Sequence, residues 1–163
     1  MIKKQKKIIS FTLWGSNPMY TIGAIKNAQL QKEFYPDWIC RFYIDSSVPQ
    51  EVCKELTDLN CELIVKQKTI DHLASFWRFE PMLDMDVSHF IVRDADARLD
   101  YRESNAVEQW VLSGLPIHII RDHPNHTRYM MGGTWGAIPG MVPTFEQDYF
   151  KFLSDVPTSW FVF

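Results

Sequence analysis

Apolar runs alternate with amphipathic segments through residues 8–65, and this alternation restricts the chain to few folds. The runs at 8–13, 38–44 and 61–65 are typical of buried strands, because they are short and rich in β-branched and aromatic residues. Segments 20–34 and 49–59, between them, have the periodicity of helices. A β-α-β-α-β order predicts parallel strands joined by right-handed crossovers. We therefore expect an α/β fold with a mostly parallel central sheet flanked by helices.

The second half of the chain continues the pattern less regularly. Residues 75–83 and 103–112 are predicted helices, and 90–92 and 116–120 are predicted strands. The glycine-rich segment 130–139 has room for a short strand, and 145–152 has the pattern of a helix start. No repeat or linker divides the chain, so we expect one domain over 1–163. The apolar end at 159–163 leaves two alternatives open: it docks on the core, or the chain is a fragment of a longer fold.

Composition and charge argue against a nucleic-acid-binding, a disulfide-rich and a membrane-spanning protein. A net charge of −3 gives no argument for nucleic-acid binding, so we expect no nucleic-acid partner. The three cysteines form no CxxC pair and are odd in number, which favours reduced thiols in a reducing compartment. No window approaches a membrane span, and the basic start lacks a signal-peptide pattern. We expect a cytoplasmic protein.

The segment 87–100 joins an apolar run to a cluster of charges. Asp94 and Asp96 directly follow the predicted strand 90–92, and open α/β sheets bind ligands at the carboxyl ends of their strands. An extended backbone would turn both carboxylates the same way, with Cα atoms about 6–7 Å apart. Two oxygen ligands at that spacing suit one hard cation such as Mg²⁺ or Mn²⁺. Without a metal, aspartates at a strand-to-turn junction serve local hydrogen bonding.

Arg78 and Asp122 are further candidates for ligand binding. Arg78 either extends from an aromatic helix into solvent, or it forks onto a phosphate or pairs with an acidic metal ligand. Asp122 follows a predicted strand, where it is suited to binding substrate hydroxyls or to acting as a base. His123 precedes a proline, and this position predicts a turn residue. A zinc site among the nearby histidines is conceivable, although the spacing matches no usual zinc motif.

Gly132 and Gly133 begin a second segment that is a candidate for ligand contact. They allow either a tight turn or a close backbone approach to a ligand, and Trp135 offers a stacking face beside them. The segment has no lysine of a P-loop and no GxGxxG pattern, so a phosphate-binding loop of those types is not predicted.

In order along the chain, "FWRF", "RDADARL", "HIIRDHP" and "GGTWG" resemble the motifs of GT-A-type glycosyltransferases of bacteria and large viruses. The resemblance covers residues 8–140. It implies a Rossmann-like GT-A nucleotide-binding fold, Mn²⁺ or Mg²⁺ on the Asp-x-Asp pair, a UDP- or GDP-linked sugar donor, and a glycan or other hydroxyl acceptor. Carried over to this chain, it implies metal ligands at Asp94 and Asp96 and a catalytic base at Asp122. The other implied positions are donor-binding Phe11, Thr12, Leu13, Arg78, Arg93, Asp94, Ala95 and Asp96, and acceptor-side Asp122, His123, Gly132, Gly133 and Trp135.

The leading hypothesis is a metal-dependent glycosyltransferase of glycan biosynthesis, in which the metal and Arg78 and Arg98 offset the charge of the departing nucleoside diphosphate. The departure from the family pattern lies after residue 140, where no clear further metal ligand follows. One alternative is therefore a non-catalytic fragment that binds a nucleotide-sugar. Another is a metal-dependent hydrolase that uses the histidines.

Overall fold

A six-stranded mixed sheet forms the centre of the molecule, in the strand order β3-β2-β1-β4-β6-β5. The computed structural model describes residues 5–69 and 71–155, and the predicted apolar tail at 159–163 lies outside them. The strands are β1 (Lys6–Leu13), β2 (Ile39–Ile44), β3 (Glu62–Val65), β4 (Val87–Val92), β5 (Ile117–Ile119) and β6 (Trp135–Ala137). The helices are α1 (Pro18–Phe34), α2 (Gln50–Asp58), α3 (Asp71–Ala74), a 3₁₀ helix (Ser75–Leu83), α4 (Tyr101–Ser113) and α5 (Phe145–Asp155).

The predicted parallel sheet is confirmed, with one addition. Strand β1 is parallel to both β2 and β4, and β2 is parallel to β3. Strand β6 comes from the glycine-rich segment and runs antiparallel to both β4 and β5. Its insertion between β4 and β5 places a glycine, Gly136, opposite Ile91 and His118. Among the described residues, no helix is long and apolar enough to cross a membrane.

The predicted helices differ in their bounds from the observed ones, by two residues at the start of α1 and of α4 and by one at each end of α2, and α5 runs three residues further than predicted. The first begins at Pro18 rather than at residue 20, because the Asn17 side chain accepts a hydrogen bond from the Met19 N–H, 3.0 Å away, and caps the helix. Segment 75–83 is a 3₁₀ helix and not an α-helix. It contains Pro81, which has no backbone N–H to donate and cannot support a regular α-helical turn.

Both faces of the sheet are covered, which explains the near-continuous apolar strands. On one face, β1 and β2 pack against α1 and α2, and the rings of Phe11 and Phe42 stack 4.8 Å apart. On the other face, the rings of Phe90 and Trp135 lie 5.4 Å apart and pack against the 3₁₀ helix. The chain first builds β1, β2 and β3 in one direction and then returns to place β4 on the other side of β1. The carboxyl ends of β1 and β4 therefore meet where the strand order reverses.

Behind β4 lies a buried polar cluster. Arg93, which is 3% exposed, donates from Nε to Oε1 of Glu103 at 2.6 Å, and the Tyr35 hydroxyl donates to the same oxygen at 2.8 Å. His118 on β5 stacks on Trp110 of α4, with ring centres 5.3 Å apart. Burial, together with the positive charge of Arg93, lowers the pKa of His118 from 6.5 to about 4.

We expect His118 to make the protein less stable in mild acid. Between pH 6.5 and about 4 the unfolded chain binds a proton at His118 that the folded chain does not, so the free energy of unfolding decreases as the pH falls through this window. Urea unfolding across the window should show a smaller decrease for His118→Phe, which keeps a ring beside Trp110. The exposed His123→Phe serves as the control and should follow the wild type. Parallel pH curves for the wild type and His118→Phe would contradict the prediction.

Candidate functional site

A cavity of about 260 Å³ lies at the carboxyl ends of β1 and β4, where the strand order reverses. We call it the β1–β4 cavity. In open α/β sheets, such a reversal opens a crevice in which ligands bind. The lining residues come from the end of β1, the start of α1, the 3₁₀ helix and the loop after β4: Thr12, Leu13, Trp14, Tyr20, Ser75, Arg78, Asp94, Ala95 and Asp96.

The loop after β4 turns instead of staying extended. Strand β4 ends at Val92, and the N–H of Ala97 donates to the carbonyl of Asp94 at 3.2 Å. The extended geometry that would align Asp94 and Asp96 by alternation is therefore not present. Both side chains nevertheless line the β1–β4 cavity. Their convergence results from the turn and its anchoring, and not from strand periodicity.

Asn27 of α1 anchors this loop, and sequence reasoning missed it. The side chain is fully buried; its amide nitrogen donates to the carbonyls of Ala95 and Ala97 at 3.2 and 2.9 Å. Its amide oxygen accepts from the N–H of Leu99 at 3.1 Å. The signal in the sequence is an asparagine one position before Ala28, on the apolar side of a helix, where a polar side chain needs a hydrogen-bond partner.

Arg78 and Asp94 form an ion pair at the cavity, through Nη1 and Oδ1. The segment before β6 lies directly against this pair. A Cβ on Gly132 would lie 2.9 Å from Nη2 of Arg78, and a Cβ on Gly133 would lie 2.0 Å from Oδ2 of Asp94. Only a glycine fits at position 133 while the Asp94 carboxylate stays in this place. Two sequence motifs thus meet at the Asp94 carboxylate, although Asp94 and Gly133 are 39 residues apart in the chain.

Two buried polar atoms at the cavity have unused hydrogen-bonding capacity. Among the described residues, neither Oγ1 of Thr12 nor Nε of Arg78 has a hydrogen-bond partner. Thr12 is 8% exposed, so its hydroxyl is largely withdrawn from bulk water. Buried polar groups are normally paired, and an unpaired one that lines a cavity is suited to a polar ligand.

The residues of the cavity suit a hard divalent cation that takes few protein ligands. Asp94 and Asp96 supply carboxylate oxygens, which Mg²⁺ and Mn²⁺ prefer, and such ions commonly combine one or two carboxylates with substrate phosphates. Within residues 5–69 and 71–155 there is no group of three or more histidine, cysteine, aspartate or glutamate side chains placed to hold a metal. This finding gives no support to a zinc site among the histidines.

Two residues that were predicted to bind the sugar donor, Phe11 and Arg93, do not line the cavity, and neither does Arg98, which was predicted to offset the charge of the diphosphate. Phe11 is fully buried and stacks on Phe42 in the core. The guanidinium of Arg93 is turned to Glu103 behind β4. Arg98 donates from Nη1 to three carbonyls of its own loop, including that of Ala97 at 2.8 Å. These three side chains hold the strand ends and the loop in place.

Two of the predicted acceptor-side residues, Asp122 and His123, follow β5 and do not line the cavity. The Asp122 carboxylate pairs with Nη2 of Arg102, and Nδ1 of His126 lies 3.2 Å from its Oδ1. The exposed His123 accepts a hydrogen bond at Nδ1 from the Asn125 N–H at 3.1 Å. Since β5 runs in the same direction as β4, Asp122 still lies at the carboxyl edge of the sheet.

Trp135, the remaining predicted acceptor-side residue, is 7% exposed and packs against Phe79 and Phe90. Its ring belongs to the wall of an apolar groove of about 360 Å³ rather than to the β1–β4 cavity. The predicted stacking face is therefore largely covered by other side chains. Gly132 borders the same groove, on the side of the Arg78–Asp94 pair.

Trp14, Tyr20 and Ser75 line the cavity but were not predicted. Trp14 follows β1 directly, and Gly15 then turns the chain with a φ of +68°. The Gly15 N–H donates to Oγ of Ser47 at 2.7 Å, which ties this turn to the end of β2. The sequence signal that could have identified Trp14, Tyr20 and Ser75 is their position, because each lies in or near a loop at the carboxyl edge of the sheet. Their convergence depends on the order of the strands.

Comparison with known proteins supports the fold. The structure resembles a mannosyltransferase, PcManGT, from Pyrobaculum calidifontis in complex with GDP-Man and Mn²⁺, with a TM-score of 0.58 and 11% identity over 90% of this chain and 47% of that chain. It also resembles 4-diphosphocytidyl-2C-methyl-D-erythritol synthase from Anaerococcus prevotii DSM 20548, with a TM-score of 0.60 and 11% identity over 97% of this chain and 80% of that chain. No family model and no curated protein matches the sequence. The predicted α/β fold of the Rossmann-like GT-A type is confirmed, and the chain spans about half the length of the mannosyltransferase.

We expect Asn27→Leu to destabilise the protein by about 3 kcal/mol, because it leaves two carbonyls and one N–H of the loop after β4 without their buried partner. Chemical unfolding measures the change. Gln29→Leu, at an exposed position of the same helix, is the matched control and should stay within about 0.5 kcal/mol of the wild type. Equal stability of the two variants would contradict the anchoring role.

Gly133→Ala tests the contact between the two motifs. The added Cβ should displace the Asp94 carboxylate and cost about 1–3 kcal/mol. In an Asp94→Ala background the obstructing oxygen is gone, so the same substitution should cost less, with a coupling energy above about 0.5 kcal/mol. Urea unfolding of the wild type, the two single variants and the double variant measures this cycle. Additive effects would show that Gly133 and Asp94 are not in contact.

Proposed function

We propose that this chain binds a nucleoside-diphosphate sugar in the β1–β4 cavity, together with Mn²⁺ or Mg²⁺, and transfers the sugar to a hydroxyl group of an acceptor. The observation that carries the proposal is the convergence of Asp94, Asp96 and Arg78 on a cavity where the strand order reverses. This is where open α/β sheets bind nucleotides. The fold likeness to a mannosyltransferase in complex with GDP-Man and Mn²⁺ supports the same class of donor.

In this proposal Asp94 and Asp96 hold the cation. When bound, such a cation would neutralise the diphosphate charge that develops as the sugar leaves. Arg78 adds a fixed positive charge, and its unpartnered Nε leaves it a donor for a phosphate oxygen. The Thr12 hydroxyl is available to a ribose or phosphate oxygen. Trp14 and Tyr20 supply aromatic surface for the base.

Asp122 remains the proposed base for the acceptor hydroxyl. It lies at the carboxyl edge, two strands from β4, and its carboxylate pairs with Arg102. A base role requires the acceptor hydroxyl to reach this carboxylate within hydrogen-bond distance. Donor binding does not depend on this residue, so the two parts of the proposal are tested separately.

A second candidate function is binding of a nucleotide-sugar without turnover. The observation that favours it is that the chain spans only 47% of the length of the mannosyltransferase chain that it resembles. Mixing the protein with a radiolabelled nucleotide-sugar and measuring the release of free nucleoside diphosphate separates the two functions. Release with an acceptor present supports transfer, and binding without release supports the second function.

We expect Asp94→Ala/Asp96→Ala to lose metal-dependent ligand stabilisation. Thermal unfolding is recorded with GDP, UDP and CDP and their sugars, with and without Mn²⁺. The cytidine arm is included because the second neighbour's name contains a diphosphocytidyl group. Ligand at about a hundred times its dissociation constant adds about 2.7 kcal/mol to the wild type, an upward shift of several degrees.

Asp37→Ala is the matched control, since it removes an exposed carboxylate at the opposite edge of the sheet. It should retain the full shift. A shift that needs Mn²⁺, prefers one base and is lost in the double variant supports the donor site. A folded wild type that shows no shift with any ligand, or a double variant that keeps the Mn²⁺-dependent shift, would contradict the proposal.

A further inference from the structure

Two of the three cysteines face each other across neighbouring strands, far from the β1–β4 cavity. Arg41 of β2 pairs with Glu62 of β3 in the parallel register. Cys40 is one residue before Arg41 on β2, and Cys61 is one residue before Glu62, just ahead of β3. Continuing the register by one residue therefore places the two cysteines opposite one another. Neighbouring strands are about 4.8 Å apart, within the range of Cα separations of about 4.4–6.8 Å that a disulfide spans.

Both thiols lie on the same face of the sheet. Cys40 is a member of the core beneath α1 and α2, and Cys61 packs against that core. Cys61 precedes the first residue of β3 and follows Asn60, whose φ is +66°. It therefore lies between this turn and the regular ladder of β3.

The two cysteines differ in access and acidity. Cys40 is 1% exposed, whereas Cys61 is partly exposed. The contact with Cys40 and the charge of Lys32 lower the pKa of Cys61, although burial opposes them. Contact with Cys61 and burial raise the pKa of Cys40. An accessible, more acidic thiol beside a buried one is the arrangement of an attacking and a resolving cysteine.

We propose that Cys40 and Cys61 are a redox-modification site that closes to an intramolecular disulfide with a low-molecular-weight disulfide as oxidant. The Cys61 thiolate attacks one sulfur of the oxidant, forms a mixed disulfide and releases one thiolate. Cys40 then attacks Cys61 Sγ and releases the second thiol, which takes the Cys40 proton. Two protein thiols and one oxidant disulfide thus give one protein disulfide and two small thiols, with two electrons passing to the oxidant.

The site is independent of the proposed donor cavity. Cys40 lies near the beginning of β2 and Cys61 just before β3, so the pair is at the amino edge of the parallel strands. The cavity is at the carboxyl edge. Closure of the disulfide ties β2 to β3 at the opposite end, and its test uses no nucleotide.

The test treats the native protein with oxidised glutathione, blocks the remaining thiols with iodoacetamide and measures intact and peptide masses. Reduced protein has three free cysteines. After oxidation we expect alkylation at Cys53 alone, an intact mass lower by two hydrogens before alkylation, and a peptide that joins Cys40 to Cys61. Dithiothreitol should restore all three thiols.

Single variants separate the roles of the cysteines. Cys53→Ser should form the same disulfide as the wild type, because Cys53 takes no part. Cys40→Ser should stop at the glutathione adduct on Cys61, and Cys61→Ser should leave Cys40 unmodified. Three alkylated cysteines in oxidised wild type, a disulfide that includes Cys53, or glutathione on Cys53 in preference to Cys61 would each overturn the proposal.

Discussion

The buried amide of Asn27 is the contact on which the candidate site depends. Helix α1 and the loop after β4 are separate in the sequence, and the Asn27 side chain joins them through both of its polar ends. Because the side chain is fully buried, water cannot replace these hydrogen bonds if they break. These hydrogen bonds anchor the loop that carries Asp94 and Asp96 to the cavity.

Two glycines complete this support from opposite sides. A Cβ on Gly23 of α1 would lie 2.2 Å from the Ala95 carbonyl oxygen, and a Cβ on Gly133 would lie 2.0 Å from the Asp94 carboxylate. The carboxylate loop is therefore enclosed between a helix and the segment that leads into β6. The position of that segment follows from the antiparallel pairing of β6 with β4. The added antiparallel strand thus shapes the site as well as extending the sheet.

The charges at the cavity are partly balanced within the protein, because one guanidinium faces two carboxylates. Asp94 pairs with Arg78, and the Asp94 side chain is 48% exposed. An ion pair with a half-exposed member contributes little to stability, so exchanging it for a ligand contact costs little. Two carboxylates beside one guanidinium leave the cavity able to accept a cation and a phosphate together. This balance is consistent with the proposed donor, and it depends on the convergence of the 3₁₀ helix with the loop after β4.

The sequence by itself determined strands β1 to β5, the existence of helices α1, α2, α4 and α5, and the placement of Asp94 and Asp96 after a buried strand, because local hydrophobic periodicity marks these segments. It left β6 open and did not predict α3. It also identified Arg78 and the glycine pair as candidates. The tertiary structure alone decided that Phe11 and Arg93 point away from the cavity, that Asn27 anchors the loop and that Gly133 meets Asp94. Those outcomes require the strand order and the packing of distant segments, and a local pattern carries no information about which segments become neighbours.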